Sequence, residues 1–217
     1  PQLVCVEAKH ENYVDYHHKI LKEIDKHIHV SVIASIDEVA CKLSKTQKNK
    51  KAAIVLAQNI KDSIKENVGN YIRCSIGIAP NRFLAKTASN LEKPDGLQIL
   101  FAEDIPLNIS HLKLSDLTGI GKGIEKRLIK ANISSIDNLY NISPKHMRKI
   151  WGNVNGEQFW LELAHPGQVV GEAKTGMPGP DGNSYPGIAF SNAYYSTSEI
   201  FERTVLKAMT FGANEEM

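Results

Sequence analysis

Three cysteines, an aromatic content of 7% and no long apolar run limit what these 217 residues can be. Cys5, Cys41 and Cys74 are odd in number and more than thirty residues apart, which argues against both a disulfide framework and a zinc cluster. A reducing, cytoplasmic location is expected. No apolar stretch approaches the roughly 20 residues of a membrane span, and the N-terminus lacks the apolar core of a signal peptide, so no membrane partner is expected. Charge of one sign is also lacking, since the net value is only +2. Its distribution is uneven, because residues 111–150 hold eight Lys or Arg against three acids, a basic island. A hydrophobic content of 42% is enough for a real core and for more than one domain. The sequence begins at Pro1 and not at Met, as expected of a piece of something longer.

Periodicity divides the chain. Tyr13, Tyr16, Ile20, Ile24 and Ile28 recur every three or four positions, the period of an amphipathic helix, and "VSVIASI" after them reads as a strand. Residues 42–51 carry five lysines and no large apolar residue after Leu43, which reads as a solvated connection. Ile54, Ala57, Ile60, Ile64 and Val68 resume a helical period that Gly69 can cap. "YIRCSIGI" is a second strand, and "APNRFLAKTASNL" a short helix with Asn81 as its N-cap, stopped by "KPDG". Helix, strand, helix, strand, helix predicts an α/β layer over residues 1–107. From 108 to 166 the signals are short helices only, which predicts a small all-α domain. Gly and Pro cluster beyond Gly167, so 167–217 reads as a flexible or unassigned tail.

Within the first part, "SIDEVACKL" places Asp37 and Glu38 where an apolar run ends. Adjacent residues on a strand face opposite ways, so both carboxylates reach one ion only if the chain turns there. A hard divalent cation takes oxygen ligands, commonly one or two carboxylates with water and phosphates, and the pair is then half a site. The competing reading is two solvated acids at a strand end. Downstream, Arg82 and Lys86 lie four apart on one helix face with Lys93 seven further on, a row of cations that can bind a polyphosphate or simply be a basic helix face. His17, His18, His27 and His29 have no third ligand at fixed spacing and read as surface histidines. Phe159 and Leu163 have core spacing, which favours packing over base stacking for Trp151, Phe159 and Trp160.

"SIDE" followed by "CSIGIAPNRFLAKTASNLEKPDGL" closely resembles the palm of the Y-family, or translesion, DNA polymerases, and the helical segment with "LTGIG" resembles their thumb. "SIDEVACKL" with "KIWGNVNGEQFW" is similar to a bacterial, DNA polymerase IV-like branch, and the likeness runs from about Leu3 to about His165. The resemblance implies a partial α/β palm, a mixed sheet with packed helices, followed by a helix-hairpin-helix thumb. It implies a nucleotidyltransferase of DNA damage repair in which Asp37 and Glu38 are catalytic and bind two Mg2+ ions. Lys93 and Lys86 would contact the phosphates of the incoming deoxynucleoside triphosphate, and Ser35 would position the acids. Gly119 and Gly121 would aim backbone N–H groups at a phosphate of primer–template DNA, with Lys122, Lys126 and Arg127 supplying charge. A dinucleotide fingerprint does not fit "GIGKG", because the third glycine comes one position early and no strand precedes it.

The sequence departs from the family at both ends. The opening strand with its Asp-x-Asp-like metal motif and the fingers domain are missing, so one ligand of the two-ion site is expected to be absent and the chain alone to be a weak or inactive polymerase. Residues 167–217 do not resemble the expected little finger. Three readings follow: a polymerase fragment; a non-catalytic module that binds the DNA phosphate backbone; and a base-excision glycosylase with Asp137 as its acid, against which the palm motifs argue. A sliding clamp or a second polymerase-related chain would be a further partner of the first.

Overall fold

A helix that places an isoleucine every fourth position needs a partner face, and the first two helices supply it to each other and to one side of a sheet. The computed structural model describes residues 9–47 and 49–166 and the backbone of residues 203–208. Helix α1 (His10–Asp25) buries Ile20 and Ile24, and α2 (Lys50–Asn67) buries Ala53, Ala57, Ile60 and Ile64. The side chain of Asn49 caps α2 by accepting from the Ala52 N–H at 2.8 Å, so this helix starts within the lysine-rich stretch expected to be a connection.

The sheet comprises β1 (Val30–Ser35), β2 (Glu38–Lys42), β3 (Cys74–Ala79), β4 (Leu97–Ile99) and β5 (Arg203–Ala208) in the order β1-β2-β5-β3-β4. β1 and β2 form an antiparallel hairpin, β3 and β4 run parallel, and β5 is antiparallel to both β2 and β3. The mixed sheet agrees with expectation; β2 and β4 were not foreseen, and β5 lies in a segment whose sequence allows a strand without assigning it to the sheet. "EVACK" lacks the polar alternation of a half-exposed strand because helices cover both of its faces, and its first four residues are buried. β5 falls in the expected tail, and its pairing to strands more than a hundred residues upstream leaves no local signal. The rest of that expected tail, 167–202 and 209–217, lies outside the described residues.

The pleat then sorts side chains to two cores. Val39, Cys41, Cys74, Ile76 and Ile78 face α1 and α2, whereas Ala40 and Ala79 face α3 (Arg82–Leu91). Burial pushes the Cys41 and Cys74 thiols up to about 12, so both are inert hydrophobic residues at neutral pH. The α3 core continues through Leu84, Leu117, Leu128, Ile136, Met147 and Leu163 into α4 (Lys122–Lys130), α5 (Ile136–Tyr140), α6 (Pro144–Trp151) and α7 (Val154–Ala164). The helical segment therefore shares its core with α3. Asn81 joins the two: its Oδ1 accepts from the Leu84 N–H at 2.8 Å as the foreseen N-cap, and its Nδ2 donates to Glu162 O at 2.7 Å.

One buried carboxylate ties α1 to α2. Glu23 accepts from Lys26 Nζ at 2.6 and 2.7 Å, Ser63 Oγ at 2.7 Å and Asn67 Nδ2 at 3.1 Å. The Lys26 bond, then that of Ser63, holds its pKa below the usual carboxylate value, with burial opposing. A depressed folded pKa stabilises above the unfolded value and is lost as pH falls through the folded one. Glu23→Gln is therefore expected to cost about 1–3 kcal/mol at pH 7. Urea unfolding of both proteins from pH 7 down to pH 3 should show the difference shrinking towards acid pH.

Candidate functional site

Asp37 and Glu38 lie on the β1–β2 hairpin, whose turn is Ile36 and Asp37. Glu38 is the first residue of β2, on the same face as Ala40, and is buried at 6% exposure. Asp37 stands on the turn and Glu38 begins the strand after it. Ser35 Oγ donates to Asp37 Oδ1 at 2.6 Å and lies 3.4 Å from the Asp37 N–H, so the serine fixes the half-buried aspartate. From α1, His17 reaches the turn through Nδ1, 2.8 Å from Ile36 O; a carbonyl only accepts, so this nitrogen carries the proton.

Lys86 meets Glu38 from α3. Its Nζ donates to Glu38 Oε2, with the lysine side chain 29% exposed and that of the glutamate 8%. A buried carboxylate is costly without a partner, and the ammonium supplies one. This contact depends on how close α3 sits to β3. At Gly77, a Cβ would stand 1.9 Å from Ala85 O and 2.4 Å from Ser89 N, so only glycine allows the approach. Glu38 and Lys86 thus come together, with Asp37 the preceding residue, held by Ser35. Arg82 is half-buried at the start of α3, and Lys93 is exposed on the loop after its end.

The donor chemistry here fits a hard divalent cation, because both acids offer only carboxylate oxygen. Among the described residues no group of three or more His, Cys, Asp or Glu could hold a metal ion. A polar cleft of about 800 Å³, lined by residues that include Asn90, Glu92, His111 and Asp116, lies elsewhere, at the C-terminal end of α3; neither Asp37 nor Glu38 lines it.

The second cluster surrounds the start of α4. Gly119 has φ +95°, a left-handed conformation that disfavours any side chain, and Gly121 is the N-cap residue. No side chain caps α4, and its first-turn N–H groups have no intrahelical acceptor. Lys122 and Lys126 are exposed. Arg127 is also exposed, but its Nη1 donates to Trp151 O at 2.7 Å and closes the C-terminus of α6. That role escaped the sequence reading because the acceptor is a backbone carbonyl 24 residues away. Trp151 and Phe159 pack with ring centroids 4.9 Å apart, and Phe83 meets Phe159 at 4.9 Å, so these rings serve the core as expected.

Residues 1–90 match the impB/mucB/samB family. The DNA polymerase IV of Pelotomaculum thermopropionicum is 31% identical over 154 residues, 71% of this chain and 38% of that protein. The DNA polymerase IV of Nitrosopumilus maritimus is 33% identical over 145 residues, 66% and 39% of the two. Relatives of archaeal as well as bacterial origin match, so the likeness does not single out a bacterial branch. Among solved structures, DinB from Sulfolobus solfataricus superposes with a TM-score of 0.64 at 27% identity over 73% of this chain and 46% of that one. The insertion ternary complex of Dbh DNA polymerase gives 0.63 at 28% identity, with the same coverage of both chains. The chain spans less than half the length of these relatives.

Proposed function

Because residues 1–90 place the chain in the impB/mucB/samB family of Y-family DNA polymerases, we propose that it forms much of the palm (1–107) and the helix-hairpin-helix thumb (108–166) of a template-directed translesion polymerase. Its ligands are then primer–template DNA, a deoxynucleoside triphosphate and Mg2+. The observation that carries this is the hairpin, which presents Asp37 on its turn and Glu38 beside Lys86.

In this reading Asp37 and Glu38 would hold the divalent ions. Bound there, these would activate the primer hydroxyl and stabilise the leaving pyrophosphate. Ser35 keeps Asp37 in one rotamer. Lys86 pairs with Glu38 until a metal ion displaces it and then, with Lys93, would offer positive charge to a triphosphate. Gly119, Gly121 and the start of α4 offer N–H groups to a backbone phosphate, with charge from Lys122 and Lys126. Arg127 acts there mainly by fixing α6 behind α4. Such contacts ignore base identity, which suits an enzyme that must hold any duplex.

A second reading, a non-catalytic module that grips the DNA backbone, is favoured by the lack of a third metal-ligating side chain among the described residues. Both readings expect the 217-residue chain to bind primer–template, with affinity falling at least tenfold between about 50 and 200 mM salt as counterions are released. Fluorescence anisotropy over that range, with primer extension by the chain and by Asp37→Ala in Mg2+, separates them. Binding without extension in either protein is the expected result and favours the module for this chain by itself. Extension that disappears in Asp37→Ala would show a complete site and favour the enzyme. No binding, or binding indifferent to salt, would overturn both.

A further inference from the structure

Lys61 stands on the buried side of α2, next to the core residue Ile60, with its side chain only 11% exposed. An ammonium in that setting is unfavourable unless hydrogen-bonded and paired. Here it is both, and its partners all belong to one loop. Nζ donates to Asp95 O, lies 2.9 Å from Asp95 Oδ1 and reaches Gly96 O at 3.5 Å. Nothing in the local sequence pairs positions 61 and 95, and neither the acids nor the basic helix face needs this contact.

The loop needs it. Asp95 has φ +67°, the left-handed region that non-glycine residues adopt uncommonly, aspartate more readily than most, and local hydrogen bonds help to hold it there. Besides the ladder bond from Ile76 N–H to Gly96 O at 2.9 Å, the contacts to β3 are long: Cys74 N–H to Asp95 Oδ1 at 3.4 Å, Ser75 Oγ to Glu92 O at 3.3 Å and Gly96 N–H to Ser75 Oγ at 3.3 Å. The ion pair adds a charge-assisted anchor from an element fixed by its own core. Two residues before Asp95 stands Lys93. We infer that Lys61 is a positioning residue, which locks the 93–96 loop to α2 and thereby sets where Lys93 meets the phosphates of an incoming nucleotide. The inference rests on the reading of Lys93 proposed above.

The test is a double-mutant cycle on nucleotide binding, with thermal unfolding measured alongside. Mg2+–dATP is titrated into the 217-residue chain bound to a primer–template with thymine as the templating base. The chain is compared with Lys61→Met, Lys93→Ala, the double variant and Lys61→Arg. Lys61→Met and Lys93→Ala should each weaken binding about tenfold, the double variant no further than either, and Lys61→Arg should recover most of the loss. A Lys61→Met affinity equal to the unmodified chain's, or losses that multiply in the double variant, would overturn the inference and leave the role of Lys93 intact. No binding by the unmodified chain, or no loss in Lys93→Ala, would instead overturn the reading it rests on. Should Lys61→Met fail to fold, Asp95→Asn replaces it in the same cycle: it keeps an acceptor for the Cys74 N–H and removes the charge facing Lys61. The same outcomes then decide.

Discussion

Gly77→Ala is expected to cost about 3 kcal/mol or more in urea unfolding, a large loss for adding one methyl group. Overpacking is cheap when the obstructing atom belongs to the end of a flexible side chain. Here both obstructing atoms, Ala85 O and Ser89 N, belong to the backbone of α3, and rotation of a side chain cannot relieve a separation of 1.9 Å. The helix must lift from the sheet. Leu84, Ala85 and Ala88 then lose their seat on the α3 face, and Lys86 is drawn away from Glu38. Gly121→Ala makes the contrast, since a Cβ there meets nothing within 4 Å and the cost is only that of a poorer N-cap residue, about 1 kcal/mol. Equal, small effects at both glycines would mean that α3 does not sit where its contact with Gly77 requires.

The legible parts of this fold were those coded locally. α3 could be read in full because Asn81 caps it and the following "KPDG" stops it, and both signals act within one turn. The period of α2 was equally plain, although its start was not: five lysines suggested a loop, whereas Lys50 and Lys51 sit exposed in the first turn behind the Asn49 cap. β2 was hidden for a different reason. A strand covered on both faces loses the alternation that marks a strand, and "EVACK" is too short to declare itself by length. The acids were found through a motif, but their geometry was not in it. That Ser35 holds Asp37 follows from the hairpin turn, and that Glu38 points at Lys86 and Lys61 grips the 93–96 loop follow from how α3 and α2 cover the sheet.

α3 links the two halves of the chain. Its inner face packs on β3, its first turn is capped by an asparagine that also holds α7, and Thr87 Oγ1 accepts from the Thr118 N–H at 3.2 Å just before the glycine turn. The carboxylate hairpin and the start of α4 are thus referred to one ten-residue helix. In the proposed polymerase this matters, because the duplex held by the thumb must present its primer end to the acids with little freedom, and positioning supplies most of the catalysis in phosphoryl transfer.

Lys86→Met should destabilise the chain by an amount near the lower end of about 3–5 kcal/mol, because it leaves Glu38 buried without its partner. The lysine is 29% exposed, so water can reach part of the vacated space and moderate the cost. The more informative readout is what a divalent cation then does. In the unmodified chain Lys86 competes with any cation for Glu38, so Mg2+ or Mn2+ at millimolar concentration should raise the melting temperature little. Without the ammonium, Glu38 and Asp37 are free to share a metal ion, and a ligand that binds only the folded state stabilises it by mass action. The melting temperature of Lys86→Met should therefore climb with metal concentration, and that of a Lys86→Met, Glu38→Gln double variant should not. Equal metal-induced shifts in all three proteins would mean that the cation binds elsewhere and that the Glu38–Lys86 pair is a structural contact only.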